Sequence, residues 1–115
     1  MKDLYKQYLG QTVNVMMDRP LGSNHPKYGF KYEVNYGFVP NTKAPDGDEI
    51  DAYVLGLNVP LKNFSGKCIA IIHRLNDDDD KLVVVPKNTE GITDEEIIKL
   101  TSFQEKYFKS IILRV

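Results

Sequence analysis

The chain has 115 residues, of which 42% are apolar, enough to bury one ordinary hydrophobic core and too few for two domains. Acidic and basic side chains nearly balance at a formal net charge of -1, so no global field favours nucleic acid or an anionic membrane as a partner. No apolar segment is long enough to span a bilayer, and the N-terminus lacks the apolar stretch of a secretory signal. Cys68 is the single cysteine and has no partner for an internal disulfide. We therefore predict one domain over residues 1–115, located in the reducing cytoplasm.

The predicted elements begin with a short helix over residues 3–9, ended by Gly10, and a half-buried strand over residues 13–18. Residues 19–29 have the composition of a loop. Further strands are predicted over residues 30–39, 50–59, 67–73 and 82–85, and the last two flank an acidic tip and suggest a hairpin.

Two capping-box patterns mark the C-terminal part of the chain. Thr93 with Glu96, and Ser102 with Glu105, predict one helix with a break or two short helices before residues 111–115. Because strands come first and helices last, the order favours an antiparallel sheet or barrel with helices on one side over a parallel α/β sheet.

Carboxylates concentrate where the chain enters the strand predicted over residues 50–59. In an extended segment Asp46 and Asp48 project to the same face, and a bulge would bring Asp51 to join them. Gathered carboxylates repel one another and so favour a bound cation, and oxygen ligands select magnesium, calcium or manganese over zinc. The alternative is that the Asp-Gly dipeptide forms a turn that leaves its acids in water.

A second acidic segment, residues 77–81, reads Asp-Asp-Asp-Asp-Lys. It is either a solvated hairpin tip or a part of the same site. Donors of the kind that contact phosphate oxygens are Lys27, Lys81, Tyr28, Tyr32 and Tyr36, although a tyrosine in a strand more often serves in packing.

Three strings, in this order, closely resemble the soluble inorganic pyrophosphatases. They are Tyr32-Glu33-Val34-Asn35-Tyr36-Gly37-Phe38-Val39-Pro40-Asn41-Thr42, then Asp46-Gly47-Asp48-Glu49-Ile50-Asp51, then Asp79-Asp80-Lys81-Leu82-Val83-Val84-Val85-Pro86. The resemblance implies a mainly β fold, a small closed antiparallel OB-like barrel with C-terminal helices. It also implies hydrolysis of pyrophosphate with several magnesium ions, for which manganese can substitute.

Matching positions carry the family's site residues onto this chain. The resemblance implies that Asp46, Asp51 and Asp79 are metal ligands and that Asp48 accepts a proton from the attacking water. It implies that Tyr36 and Lys81 contact phosphate. Asp18 falls on a metal-associated acid, Lys27 on a phosphate-binding lysine, and Tyr107 on a tyrosine near the leaving phosphate.

Departures from the family pattern leave several functions open. Arg74 and Leu75 stand where the family has two acids, and Gly29 replaces a glutamate. Arg74 either contacts a phosphate oxygen bidentately in place of an outer metal ion, or is a solvated charge at a strand end. The substrate is pyrophosphate, or a nucleotide or other esterified phosphoanhydride, or the barrel binds metal and phosphate without catalysis. Formation of a homo-oligomer is left open.

Overall fold

The computed structural model describes residues 2–114, apart from the side chains of residues 2 and 3. The prediction of a single domain over residues 1–115 extends beyond these bounds and stays a prediction. In chain order the elements of the described part are α1 (Lys2–Lys6), β1 (Thr12–Arg19), β2 (Asn35–Val39), β3 (Ile50–Val54), β4 (Asn63–Arg74), β5 (Lys81–Val85), α2 (Asp94–Glu105) and β6 (Ser110–Arg114).

Five strands close into a barrel in the order β1-β2-β3-β5-β4, and β4 pairs back onto β1. The 12-residue β4 makes closure possible because its first part pairs with β1 and its later part with β5. The predicted barrel and the predicted hairpin between β4 and β5 are confirmed. Four of the five pairings that close the barrel are antiparallel, and the fifth, between β3 and β5, is parallel. After β3 a loop takes the chain to β1, where β4 begins. After β4 the chain reverses, and β5 then runs beside β3 in the same direction as β3.

A single helix, rather than the predicted broken helix or helix pair, precedes the last strand. The capping box of Thr93 and Glu96 opens α2 as predicted. The second capping pattern is wrong, because the Ser102 hydroxyl donates to the Lys99 carbonyl within the helix and the Glu105 side chain binds elsewhere. The strand β6, which sequence did not predict, pairs with the end of β4. Neither helix in residues 2–114 has the length and apolar character to cross a membrane.

Two predicted strands are shorter in the structure than in the sequence pattern. β2 starts only at Asn35, because the aromatic residues before it pack against α2 instead of continuing the strand pairing. The ring centroids of Phe30 and Tyr32 lie 6.1 and 5.5 Å from that of Phe103 in α2. β3 ends at Val54, and the chain turns at Gly56, which has a φ of 91°. β4 is longer than predicted because backbone pairing with β1 extends through its polar first half.

Strand alternation sorts the buried residues into two layers. One cluster, with members on all five barrel strands and Tyr5 of α1, fills the barrel. The other lies outside the barrel under α2, whose Ile97 and Phe103 cover it. Tyr53 of β3 belongs to the outer cluster, and since side chains two apart share a face, Asp51 projects to that same side. Asp51, at the start of β3, therefore lies on the face of the barrel that α2 covers.

Candidate active site

A polar cavity of about 300 Å³ lies between the barrel wall and α2. Its lining contains three aspartates, two arginines and a lysine among other polar and aromatic side chains: Asp18, Arg19, His25, Tyr32, Tyr36, Asp51, Arg74, Asp79, Lys81 and Gln104. Its size is at the lower end of small-ligand pockets, and its charged lining suits a small anion held together with cations.

Lys81 is the central cation of the cavity. In the parallel pairing of β3 and β5 it stands directly opposite Asp51. Its ammonium donates to Asp51 Oδ2 at 2.6 Å and to Asp79 Oδ1 at 2.7 Å, while the side chain is only 2% exposed. The two carboxylate oxygens therefore lie no farther apart than the sum of these distances, although 28 positions separate the residues along the chain. The structure therefore brings Asp51 and Asp79 together in one cavity, and their role as metal ligands stays a prediction.

Tyr36 completes this arrangement from β2. Its hydroxyl donates to the same Asp51 Oδ2 at 2.8 Å. Burial, reinforced by the Asp51 carboxylate, holds the pKa of Tyr36 well above its ordinary value, so the phenol stays a protonated donor. Burial also raises the pKa of Asp51, an effect that the Lys81 ammonium opposes. The cavity thus presents two donors, Lys81 and Tyr36, to the same oxygen of the half-buried Asp51 carboxylate.

Arg74 is buried at the end of β4 and binds α2. Its Nε donates to Glu105 Oε1 at 3.0 Å and its Nη2 to Glu105 Oε2 at 2.8 Å. The guanidinium carbon lies 3.6 Å from the centre of the Phe108 ring. Burial by itself lowers the pKa of Arg74, but the bonds to Glu105 and the carboxylates of Asp79 and Asp77 raise it above its ordinary value. Arg74 is neither the solvated strand-end charge nor a free fork for phosphate.

Only one nitrogen of Arg74 remains directed toward the acidic turn between β4 and β5. Its Nη1 lies 3.5 Å from Asp77 Oδ2 and 3.5 Å from Asp79 Oδ2. The predicted bidentate phosphate contact is therefore wrong for this geometry, because both other nitrogens are bound to Glu105. Arg74 places positive charge next to the carboxylates of Asp77 and Asp79, and its predicted role in place of an outer metal ion stays a prediction.

Asp18 reaches the cavity through a β-bulge. The register between β1 and β2 shifts between Met17 and Arg19, which makes Asp18 an additional residue on β1. A bulge reorients consecutive side chains, and here both Asp18 and Arg19 line the cavity. The family resemblance indicated Asp18, but the sequence gave no signal for the bulge or for Arg19.

Asp46 and Asp48 lie in a turn before β3, outside the cavity lining. The extended conformation predicted for them is wrong: Gly47 has a φ of 93°, and Asp46 Oδ1 accepts the Asp48 backbone N–H at 3.0 Å. Asp46 precedes β3 and Asp79 precedes β5, and because these two strands run parallel with Asp51 opposite Lys81, both acids lie at the same end of the barrel. Asp46 and Asp48 are exposed on a turn that leads straight into the strand bearing Asp51.

The predicted outer phosphate contacts do not line this cavity. Lys27 is exposed in the loop before β2, and Tyr107 lines a neighbouring cavity just after α2. Sequence reasoning named Tyr32 as a candidate donor and missed Gln104, whose side-chain oxygen accepts the Tyr32 hydroxyl at 2.9 Å. Gln104 in turn donates to the Tyr53 hydroxyl, which donates to Glu105 Oε2. No local motif marks these residues, because they meet only when α2 docks on the barrel.

The donor chemistry of the cavity fits magnesium in one specific way. Magnesium binds one or two protein carboxylates, keeps several waters and takes further ligands from substrate phosphates. Asp18, Asp51 and Asp79 offer such oxygens around one space. Among the side chains that the structure describes, residues 4–114, no three His, Cys, Asp or Glu side chains converge closely enough to hold an ion by themselves. The residues fit an ion held jointly by carboxylates, water and substrate, and not a cage built from protein alone.

Fold and cavity together define a small β-barrel protein whose site combines carboxylates with a buried lysine and arginine. The sequence profile of the inorganic pyrophosphatase family matches residues 9–112, and the chain belongs to that family. The predicted family and the predicted enzyme class, a phosphoanhydride hydrolase, are confirmed.

Relatives and solved structures agree with this assignment. An inorganic pyrophosphatase of Rickettsia prowazekii is 29% identical over 121 residues, covering 87% of this chain and 70% of the relative. The crystal structure of an inorganic pyrophosphatase from Neisseria gonorrhoeae matches with a TM-score of 0.65 and 25% identity, covering 85% of this chain and 74% of that one. The inorganic pyrophosphatase from Ehrlichia chaffeensis matches with a TM-score of 0.71 over 93% of this chain and 88% of that chain, and at 19% identity it supports the fold alone.

Proposed function

We propose that the protein hydrolyses inorganic pyrophosphate to two phosphates in a magnesium-dependent reaction, with manganese as a substitute ion. The observation that carries the proposal is the joining of Asp51 and Asp79 by the buried Lys81 ammonium in one cavity, in a chain that belongs to the inorganic pyrophosphatase family. Phosphoryl transfer requires mainly positioning and charge stabilisation, which such an arrangement provides. A cytoplasmic location and the oligomeric state stay predictions of the sequence.

The proposed roles follow from the contacts of each side chain. Lys81 and Tyr36 exchange part of their bonding to Asp51 for phosphate oxygens, and Nη1 of Arg74, which lies 3.5 Å from Asp79 Oδ2, adds positive charge from the side of α2. The proposed ligands of magnesium are Asp18, Asp51, Asp79 and Asp46. When bound, the ion neutralises phosphate oxygens and lowers the pKa of a coordinated water.

Asp48 is the proposed base that accepts a proton from the attacking water. Asp48 is exposed, and its backbone N–H and C=O, rather than its carboxylate, form the hydrogen bonds of the turn with Asp46 and Ala44, so the side chain can approach a substrate in the adjoining cavity. For both Asp48 and Asp46, the proposal requires that the exposed turn that carries them closes over the bound substrate. Lys27 and Tyr107, which lie outside the cavity lining, are proposed as contacts to the outer phosphate in the closed state.

Phosphate release from pyrophosphate, with and without magnesium, tests the proposal directly. We expect Asp48→Asn to lower the rate at saturating magnesium by roughly 10²-fold, the scale for loss of a positioned base, and Asp51→Asn to raise the magnesium concentration needed for half-maximal rate. Glu49→Gln is the matched control, since it removes the exposed acid beside Asp48. Absence of release with either ion, together with tight pyrophosphate binding, would show a non-catalytic phosphate-binding barrel instead.

A further inference from the structure

A second cavity, of about 440 Å³, adjoins the candidate active site. It is lined by His25, Tyr28, Phe30, Gln104 and Tyr107, and we call it the aromatic cavity. His25 and Gln104 also line the polar cavity, so the two spaces share a wall. Four of its five lining residues carry planar rings, whereas the polar cavity is dominated by charge. The site as a whole therefore has a charged end and an aromatic end.

The aromatic cavity leaves rings open to solvent, where a ligand could cover them. Tyr28 is 69% exposed and Tyr107 is 64% exposed, among the largest apolar exposures of the described residues. Neighbouring rings hold their orientation: Tyr28 lies 4.9 Å from His25, and Phe30 lies 6.3 Å from Tyr107 with an interplanar angle of 29°. Rings arranged in this way offer flat surfaces for stacking with a planar ligand group.

A row of rings connects the two ends of the site. Tyr36, whose hydroxyl is bonded to Asp51, lies 5.3 Å from Tyr32 at an interplanar angle of 29°, and Tyr32 lies 6.2 Å from His25 at 14°. His25 in turn contacts Tyr28. A ligand with an anionic end at Asp51 and Lys81 and a planar end at Tyr28 would thus follow one continuous wall.

The shared wall also supplies polar groups. His25 Nδ1 accepts the backbone N–H groups of Lys27 and Tyr28, both at 3.1 Å, which leaves Nε2 as the protonated nitrogen of a neutral ring. Desolvation, with Arg19 and Lys27 nearby, lowers the pKa of His25 and favours that neutral form. The Gln104 amide, bonded to Tyr32 and Tyr53, is held in place. A heterocycle with hydrogen-bonding edges uses such groups, whereas an aliphatic chain does not.

We propose that the aromatic cavity binds the base of a nucleoside diphosphate or triphosphate whose phosphates occupy the polar cavity, so that nucleotides are a second substrate class of this site. The proposal rests on the function proposed above. In the reaction a water oxygen bonds to the terminal phosphorus, the anhydride P–O bond breaks, and its electron pair stays on the shortened nucleotide's phosphate. The water proton passes to the carboxylate base and then to solvent.

Binding of two non-hydrolysable probes measures this without relying on turnover. One is methylenediphosphonate, which has no base, and the other is the α,β-methylene analogue of ADP. We expect calorimetry to show the nucleotide analogue binding at least about tenfold more tightly, the scale of one stacking contact. Tyr28→Ser should remove about tenfold of affinity for the nucleotide analogue relative to methylenediphosphonate, and Tyr28→Phe should restore it. Leu75→Ser is the control, since it removes an exposed apolar side chain away from both cavities.

Phosphate release from pyrophosphate and from ADP, measured on the same samples, separates the two proposals. Hydrolysis of pyrophosphate together with equal affinity for both probes would overturn the nucleotide proposal and leave the pyrophosphatase function standing. Tighter binding of the nucleotide analogue without any phosphate release would overturn the catalytic function and keep the aromatic cavity as a base-binding site. If Tyr28→Ser changes only the sedimentation of the protein, the exposed rings form a contact between copies and the nucleotide proposal is wrong.

Discussion

Replacement of Arg74 by methionine should strongly destabilise the fold, because it breaks a buried ion pair from one side. The Arg74 and Glu105 side chains are 5% and 7% exposed and share two short hydrogen bonds. Removal of Arg74 leaves the Glu105 carboxylate buried, with the Tyr53 hydroxyl as its remaining donor. Breaking a buried pair by removing one partner costs about 3–5 kcal/mol, and methionine retains much of the packing volume. We therefore expect Arg74→Met to lower the free energy of unfolding by about 3–5 kcal/mol.

Two further variants identify the cause of that loss. Arg74→Met combined with Glu105→Gln removes the isolated charge and keeps an oxygen that can accept from Tyr53, so about 2 kcal/mol of stability should return. Arg114→Met is the matched control, because Arg114 binds Asp94 at the same 2.8 Å but the two side chains are 38% and 48% exposed. An exposed pair contributes about 0–1 kcal/mol, and the control should change stability by no more than that.

Urea denaturation followed by circular dichroism measures all four proteins on one scale. The slope of the unfolding free energy against urea concentration must be equal among them, since a changed slope indicates a changed folded or unfolded state. Equal destabilisation by Arg74→Met and Arg114→Met would refute the reasoning, because burial would then not set the strength of the pair. Failure of the double variant to recover stability would show that the stacking of Arg74 on Phe108, rather than the charge, dominates.

Three further predictions concern the barrel and α2. Gly37→Ala should cost about 3 kcal/mol or more in urea denaturation, because its Cβ would lie 1.9 Å from the Met16 carbonyl oxygen and would force β1 and β2 apart. Burial raises the pKa of Cys68 to about 11, so at pH 8 a thiol reagent should label the native protein about 100-fold more slowly than the urea-unfolded chain; equal rates would contradict the burial. Thr93→Ala should cost about 1 kcal/mol through loss of the N-cap of α2, while Ser102→Ala, which removes no cap, should be nearly neutral.

Short-range patterns were enough for those parts of the fold that depend on local composition. Apolar runs placed β3, β4 and β5, and the capping box placed the start of α2. They could not establish β6, whose five residues form a strand only because the end of β4 provides a partner. They also misassigned Glu105, which satisfies the capping pattern with Ser102 but whose carboxylate binds Arg74, 31 positions away in the chain.

The sequence by itself determined the family and the barrel and named Asp18, Asp51 and Asp79, which line one cavity, because these depend on residue identity and order along short strings. Tertiary structure alone decided which charges meet. The parallel pairing of β3 and β5 places Lys81 opposite Asp51, and the bulge in β1 brings Asp18 and Arg19 into one cavity. The docking of α2 on the barrel places Glu105 where its carboxylate accepts two hydrogen bonds from the Arg74 guanidinium. Each of these contacts joins distant segments, and their geometry follows from strand register and helix packing, which no local spacing encodes.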